Sequence, residues 1–400
     1  MLVKLAFRNI FRNRRRSAIT LAVIVFGAVG LILFGGYKAI TFRSLRESTI
    51  RGRLGHLQVF GAGYDQRSQK PLERALENTA ALRRAIEADP RVESTSAQIT
   101  LMGLISNGEK SETFVATAVE PAKDRAMRGQ RIVAGTLLPD DDPDAVLLGK
   151  GLAQAMNAKP GDYLTLMAPT VTGSLNAVDV RVAGIYQTGV KELDDRAVKM
   201  PIGNAQQLLQ TTKVEKLLVF LRDTDTTAAV RADLNAKFGK SVDIKSWSEL
   251  ASFYHQVVLL YNGIFGFLGL IVAGIVIFSV ANTIVMSIFE RTREIGTLMA
   301  IGTTRSRVWR MFFIEGLMTG IIGGVLGVAV GALVATLINS GNIMLPPPPG
   351  YTVGYKLSIL LERPVLVGAF TISIVTATVS SILPAFKASR LKIVDALGHI

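Results

Sequence analysis

The chain has 400 residues, of which 49% are hydrophobic, with a mean hydropathy of +0.36 and a formal net charge of +14. This composition indicates a membrane protein with a sizeable soluble part. The chain contains no cysteine, which excludes disulfides and thiolate chemistry. The three histidines lie far apart in the sequence, without the short spacing of metal ligands, so we expect no metal site.

The position of the positive charge is more informative than its amount. Residues 1–16, 289–310 and 387–400 carry most of the excess, whereas residues 41–255 are nearly balanced. Nucleic acid is the usual partner of so basic a chain, but these three segments flank apolar runs, which is the positive-inside pattern. We therefore predict that the three segments are cytoplasmic, that residues 41–255 lie outside the cytoplasm, and that nucleic acid is not a partner.

The N-terminal part predicts a surface helix followed by a membrane span. Residues 1–16 carry a basic side chain at every fourth position from Lys4 to Arg16, which favours an amphipathic helix on the membrane. Residues 17–40 then supply the length of one span. The apolar run is long for a signal peptide and no clear cleavage site follows it, so we interpret it as the uncleaved transmembrane helix 1.

Residues 41–248 are soluble in character. Short strands and helices alternate there without a strict βαβ order, which predicts an α+β domain. One hairpin is expected to turn at Ser106-Asn107-Gly108. The acidic residues 140–144 lack the spacing of a calcium loop, so we interpret them as solvated surface.

Three further spans are predicted after this domain, which makes the fold class a polytopic α-helical membrane protein with four transmembrane helices and a large α+β extracytoplasmic domain between the first and second spans. Residues 346–349 are prolines and predict a stiff spacer in the outer loop. The predicted segments are a stalk with transmembrane helix 2 at 249–289, a cytoplasmic segment at 290–307, transmembrane helix 3 at 308–339, a short outer loop at 340–362, transmembrane helix 4 at 363–386 and a cytoplasmic tail at 387–400.

The third span carries glycine at helical spacing in two interleaved rows. Missing side chains let a neighbouring helix backbone approach closely, so these rows predict helix packing within the membrane. Glu315 lies in the same span, and we interpret it as a snorkelling or paired structural carboxylate rather than a functional group. In the fourth span, hydroxyls such as those of Ser373 and Ser380 are candidates for interhelical hydrogen bonds. The two glycine rows are Gly316, Gly320 and Gly324, and Gly323, Gly327 and Gly331.

Residues 290–302 form a charged segment between two apolar runs. Ile288, Thr292, Ile295 and Met299 recur at helical spacing and predict a short amphipathic helix. Glu290 and Arg293 are three residues apart and can pair. Gly302 is placed as the helix stop.

The amino-acid sequence of this segment, ERTREIGTLMAIG, resembles the coupling helix of an ABC-transporter permease family. That family includes the macrolide exporter, the lipoprotein-releasing (LolC/LolE-like) permeases and the cell-division (FtsX-like) permease. VLLGKGLAQAMNAKPGDYLTL, VAGIYQTGVKELDDRAVKMPIGNAQQLL and PAFKASRL resemble other parts of the same family, including its MacB-like periplasmic domain. The resemblance implies that the segment docks on a separate ATP-binding subunit through Glu290, Arg291, Arg293, Glu294, Ile295, Gly296, Met299 and Gly302.

The chain itself lacks the means to hydrolyse ATP. Its one GK[ST] sequence, Gly239-Lys240-Ser241, has Leu234 where a phosphate-binding loop needs glycine. We expect no cofactor and no catalytic residue. The resemblance implies a permease in the inner membrane with a periplasmic domain and an ATP-binding subunit. Because four spans can hardly form a channel alone, we also expect a second copy or paralogue whose glycine rows meet those of this chain.

The resemblance leaves three functions open. Mechanotransmission that moves or releases lipoprotein or lipid-like cargo from the inner membrane toward the outer membrane is the first. Efflux of drugs, peptides or toxins with a periplasmic adaptor is the second, and regulation of a cell-wall hydrolase is the third. The lipoprotein-releasing members carry a hook that captures a carrier, but this sequence has only the short loop Pro169–Ala177, which argues against carrier capture by a hook.

Overall fold

The computed structural model describes residues 14–64, 71–77, 79–124, 131–347, 352 and 354–390. The predicted surface helix therefore lies outside the described residues except for its last three positions, as do the tail after residue 390 and the end of the proline run. The helices are α1 (Arg14–Thr49), α2 (Thr79–Glu87), α3 (Pro121–Asp124), α4 (Lys150–Met156), α5 (Lys191–Asp194), α6 (Ile202–Leu209), α7 (Thr227–Phe238), α8 (Trp247–Leu250), α9 (Ser252–Glu290), α10 (Thr292–Ala300), α11 (Arg305–Ser340) and α12 (Arg363–Ser389). The strands are β1 (Leu57–Gly61), β2 (Val92–Ser106), β3 (Ser111–Val119), β4 (Arg131–Gly135), β5 (Ala145–Gly149), β6 (Tyr163–Pro169), β7 (Leu175–Gln187), β8 (Ala197–Pro201), β9 (Lys216–Leu221), β10 (Val242–Ser246), β11 (Met344–Leu345) and β12 (Tyr355–Lys356).

The chain divides into two compact units. A membrane unit comprises Met1–Arg43, Val257–Leu345 and Lys356–Ile400, and a sheet unit comprises Ser44–Gln256 with Pro346–Tyr355. Four helices among the described residues are long and apolar enough to cross a membrane: Ser17–Leu54, Ser252–Glu290, Arg305–Ser340 and Arg363–Ser389. The predicted fold class, with four spans and an α+β domain between the first two, is confirmed.

The sheet unit is built on one mixed sheet with the strand order β10-β1-β9-β2-β3-β8-β5-β7-β4. Strand β6 pairs with both β2 and β7, so the pairings β2-β3-β8-β5-β7-β6 return to β2 and close a ring of strands. Closure removes free edges, which otherwise invite pairing with other chains. Most buried apolar residues of the strands form a main core with side chains of α2, α4, α6 and α7, such as Ile86, Leu152, Leu208 and Leu234. A smaller, separate cluster includes Leu147 and Tyr186.

The long strand β2 joins the ring to the rest of the sheet. Its first part pairs with β9 and its last residues pair with β6, both along the same edge, while β3 lies on the other edge. The hairpin predicted at residues 106–108 is present, and Gly108 has a φ of +89°, a conformation that favours glycine. The loop between β6 and β7 closes with a hydrogen bond from the backbone N–H of Thr170 to the carbonyl of Ser174, at 2.7 Å.

Helix α11 lies between two other helices of the membrane unit, and its glycines explain how. A Cβ added at Gly316 would lie 2.5 Å from the Cβ of Ser381 on α12, and one added at Gly327 would lie 2.4 Å from the Cβ of Ala28 on α1. The other members of each row meet the same helix as these two, and all six glycines are buried. Because lipid gives helices no hydrophobic reason to associate, such close approach supplies the contact that holds them together.

The expectation that the glycine rows meet those of a second chain is wrong, because both rows are filled by helices of the same chain. Helix α9 is different. It packs on α1 through Val276 and through a hydrogen bond of 2.6 Å between the hydroxyls of Thr20 and Thr283. Many of its other large apolar side chains, such as Leu270 and Phe278, are exposed. The hydroxyls expected to bond between helices at Ser373 and Ser380 instead donate to carbonyls of α12 itself.

The packing of α11 predicts the effect of a bulky substitution. Gly327→Leu should force α11 away from α1 and lower the stability of the protein by about 1–3 kcal/mol. Thermal unfolding of the protein in detergent measures the change. Gly274→Leu on α9 is the matched control, because a Cβ at Gly274 meets nothing within 4 Å. Equal melting temperatures for the two variants would contradict the packing role of Gly327.

Candidate functional site: the α10 helix

Helix α10 is a short helix between the two long helices α9 and α11, and its C-terminal end is sharply defined. At its C-terminal end the backbone N–H of Thr303 donates to the carbonyl of Leu298, at 3.0 Å, and that of Gly302 donates to the carbonyl of Met299, at 3.1 Å. This is the pattern of a Schellman cap, which needs a left-handed residue. Gly302 supplies it with a φ of +95°, so the predicted helix stop is present.

One face of α10 is buried inside the chain. Ile295 is 1% exposed and belongs to a cluster with Ile288 of α9, Phe312 of α11 and Ala385 of α12. Gly296 is buried beside it. This face therefore belongs to the same buried cluster as residues of α9, α11 and α12.

That burial corrects the expected roles of Ile295 and Gly296. Both were expected to contact a pocket of a partner, but neither is accessible to one. Met299, expected in the same role, is half-buried and packs against the same cluster. These residues hold α10 in place.

The opposite face of α10 is exposed and combines charge with apolar surface. Leu298 is 42% exposed and Ile301 is 77% exposed. Glu294 lies four residues before Leu298 and accepts a hydrogen bond of 3.0 Å from the Nε of Arg291. Arg293 is also exposed, as are Glu290 at the end of α9 and Gly302. We call Arg293, Glu294, Leu298 and Ile301 the exposed face of α10.

Sequence reasoning missed Leu298 and Ile301. Leu298 and Ile301 do form a second apolar pair, because residues three apart lie on one helix face. This pair could have been found by asking which apolar residues of the segment the flanking helices would cover and which they would leave exposed. The observed ion pair, Arg291 with Glu294, also differs from the expected pairing of Glu290 with Arg293.

Two other sequence features have structural explanations. Asp142 of the acidic turn forms an ion pair with Arg181, and hydrogen bonding to that guanidinium lowers the pKa of the carboxyl group. Gly239-Lys240-Ser241 follows helix α7 and precedes strand β10. A phosphate-binding loop has the reverse order, from strand to helix, so this sequence is not one.

Comparisons with known proteins agree with this architecture. Residues 17–237 match the family described as MacB-like periplasmic core domain, and residues 265–393 match the one described as FtsX-like permease C-terminal. The lipoprotein-releasing system transmembrane protein LolE of Haemophilus influenzae is 20% identical over 324 residues, or 78% of this chain and 76% of that protein. The macrolide export ATP-binding/permease protein MacB of Hyphomonas neptunium is 28% identical over 99% of this chain and 60% of that protein. The periplasmic region of MacB from Actinobacillus actinomycetemcomitans is a similar solved structure, with a TM-score of 0.37 and 17% identity over 52% of this chain and 95% of that one.

The chain has four spans and a sheet unit between the first two, and the short helix α10 shares a buried cluster with α9, α11 and α12. These features define a multi-pass membrane permease. The match to the MacB-like periplasmic core domain alone covers more than half of the residues. The chain belongs to the MacB-like and FtsX-like family of ABC-transporter permeases.

Proposed function

We propose that this chain is the permease subunit of an ATP-driven transporter and that the exposed face of α10 docks on a separate ATP-binding subunit. The observation that carries the proposal is the two-sided character of α10. Its inner face is locked to α9, α11 and α12 through Ile295, while its outer face presents Leu298 and Ile301 among charges. Small interfaces depend on a few apolar anchors surrounded by polar groups, and this face has that composition.

The packing of α10 supports mechanotransmission rather than a role as an ordinary loop. A helix joined to its neighbours through one buried cluster cannot be displaced without moving their ends. A push on Leu298 and Ile301 would therefore reach α9, α11 and α12 together through Ile295 and Phe312. The proposed consequence is that ATP-driven closure of the partner moves the spanning helices, and that these helices move the sheet unit.

Lipoprotein or lipid-like cargo, moved or released from the inner membrane toward the outer membrane, is the proposed substrate. The similarity to LolE supports it, and we propose that a small apolar crevice between α1 and α9 is where an acyl chain would contact the protein. Efflux with a periplasmic adaptor is the second candidate, supported by the similarity to MacB over nearly the whole chain. Regulation of a cell-wall hydrolase is a third. The crevice is lined by Gly30, Leu31, Phe34, Phe265, Leu268, Gly269 and Val272.

The proposed assembly contains two permease chains, either two copies or this chain with a paralogue, in the inner membrane. Since the glycine rows are filled within the chain, the exposed apolar side of α9 is the proposed surface toward the second chain or the lipid. The loop Thr170–Ser174 is too short for a hook, so capture of a carrier, if one is used, would need another surface of the sheet unit.

Docking predicts unequal effects of substitutions on α10. Leu298→Asp and Ile301→Asp should each weaken binding of the ATP-binding subunit by about 1–2 kcal/mol, or roughly five- to thirtyfold. Arg293→Ala should have a smaller effect that salt reduces further. Co-purification and ATPase rates in reconstituted membranes measure both. Leu193→Asp is the control, because Leu193 is a leucine of similar exposure, 40%, in the sheet unit. Undiminished binding in both Asp variants would refute docking at this face.

The proposed topology predicts thiol accessibility, and the chain has no cysteine to interfere. Ser174→Cys, in the exposed loop between β6 and β7, should react with an impermeant thiol reagent added outside the inner membrane. Ser306→Cys, at the exposed start of α11, should react only after the membrane is permeabilised. Both cysteines occupy exposed positions, so a difference between them reports the side of the membrane. Labelling of the second cysteine alone from outside would reverse the proposed orientation.

Lipid-anchored cargo predicts a photocrosslink from the crevice. A benzoylphenylalanine in place of Phe265 should crosslink to inner-membrane lipoproteins in living cells, because this ring lines the crevice. The same substitution at Phe278 is the control, since that ring lies on the same helix and is 76% exposed. If lipoproteins crosslink equally at both positions or at neither, the efflux proposal becomes the better one.

A further inference from the structure

His56 lies immediately before strand β1 and is completely buried. A buried imidazole needs a hydrogen-bond partner for each ring nitrogen. The backbone N–H of Leu221, the last residue of β9, donates to Nδ1 at 3.0 Å. Because Nδ1 accepts, the proton of the neutral ring is on Nε2.

The second ring nitrogen continues the chain of hydrogen bonds. Nε2 of His56 lies 3.0 Å from the hydroxyl oxygen of Thr224, and with its proton it is the donor. The hydroxyl of Thr224 in turn donates to Oε1 of Glu47, also at 3.0 Å. We call Leu221, His56, Thr224 and Glu47 the His56 relay. It links strand β9 with the last turns of α1, and every donor in it has a defined acceptor.

The backbone of His56 forms a third link. Its carbonyl accepts a hydrogen bond of 3.0 Å from the N–H of Trp247, the first residue of α8. Ala251 separates α8 from α9 and its N–H donates to the carbonyl of Trp247, at 2.9 Å. One buried residue of the sheet unit is therefore bonded both toward the end of α1 and toward the start of α9.

The electrostatics agree with a neutral ring. Burial is the main cause that lowers the pKa of His56 to about 4, and the nearby Arg51 lowers it further, while Glu47 acts in the opposite direction. At neutral pH the ring is therefore uncharged, as the bond from Leu221 to Nδ1 requires. A protonated ring would place two N–H groups against each other at that position.

The helix break at Gly55 makes this side-chain link necessary. Gly55 has a φ of +64°, so the helical path from α1 through Ile50–Leu54 ends there. Gln58 holds the last turn by donating to the carbonyl of Leu54, at 2.9 Å. The relay extends to Glu47, which lies seven residues before Leu54. It therefore fixes the direction of the helix as well as its end.

We propose that His56 is a positioning residue that makes the end of α1, the start of α8 and the strands β1 and β9 move as one body. The inference rests on the proposed function, because mechanotransmission is what gives such rigidity a use. A movement of α1 would then turn the sheet rather than bend the helix at residues 44–54. The relay directs force and has no part in binding cargo.

Hydrogen exchange of the whole chain in lipid nanodiscs tests the link without any partner. Thr224→Val removes the hydroxyl at nearly constant volume, and Glu47→Ala removes the acceptor at a partly exposed position, together with its ion pairs to Arg46 and Arg51. Each should speed exchange of the amides of residues 44–54 by about three- to tenfold, because Thr224→Val removes both hydrogen bonds of that hydroxyl and Glu47→Ala removes one of them together with the ion pair to Arg51. Thr224→Ser should restore the slow exchange. Thr226→Val is the matched control, because that hydroxyl bonds within its own turn to the carbonyl of Asp223.

A distance measured between two spin labels tests the role of the relay in transport separately from its structural role. Ser48→Cys and Lys240→Cys place the two labels at exposed positions on α1 and after α7, in a chain without other cysteines. With the ATP-binding subunit bound, one narrow distance distribution should persist when ATP is added, and Thr224→Val should broaden it. If the ATP-binding subunit fails to bind while the exchange results hold, the relay stands and its transport role falls. Unchanged exchange in both Thr224→Val and Glu47→Ala, or a narrow distribution in Thr224→Val with ATP, would overturn the proposal.

Discussion

The close approach of α1 and α12 to α11 is the contact on which the membrane unit depends. Gly316 and Gly327 bring their neighbours to distances that no side chain would allow. In lipid, where apolar surface gains nothing by leaving its surroundings, this packing fixes the three helices relative to one another. The cluster around Phe312 can then form at their ends, and that cluster holds Ile295 of α10.

The two faces of α10 therefore differ in their surroundings. Ile295 belongs to the buried cluster of the bundle, and Leu298 and Ile301 are exposed. A helix with a buried face on each side would be a fixed part of the bundle, and a helix with none would be a loose linker. The observed arrangement suits a part that receives force on one side and passes it on at the other.

Much of the fold was predictable because its signals are local. Span length, basic flanks and turn residues such as Gly108 and Gly302 each act within a few residues, so four spans, an α+β domain and the α10 stop could be derived from the sequence. The roles of the apolar residues could not. Ile295 and Leu298 are equally apolar, and only the positions of α9, α11 and α12 decide which is covered. Likewise, the hydroxyl of Ser380 forms a hydrogen bond within its own helix, whereas that of Thr20 bonds to Thr283 on another helix. The sequence alone does not distinguish these two cases.

His56, in the sheet unit, is a second residue whose role could not be predicted from the sequence. In the sequence it is one of three scattered histidines, and its spacing argues only against a metal site. Its significance arises from Leu221 and Thr224, which lie more than 160 residues away and belong to a strand and a turn that the sheet brings beside it. The order of the strands explains the location. Strand β2 joins the closed ring to the β10-β1-β9 part of the sheet, and that part is where α1 ends and α8 begins. In the proposed mechanism, rigidity is needed most between helix α1 and the sheet that would follow its movement. A buried, neutral ring with both nitrogens bonded provides it, because water cannot replace either bond without opening the core.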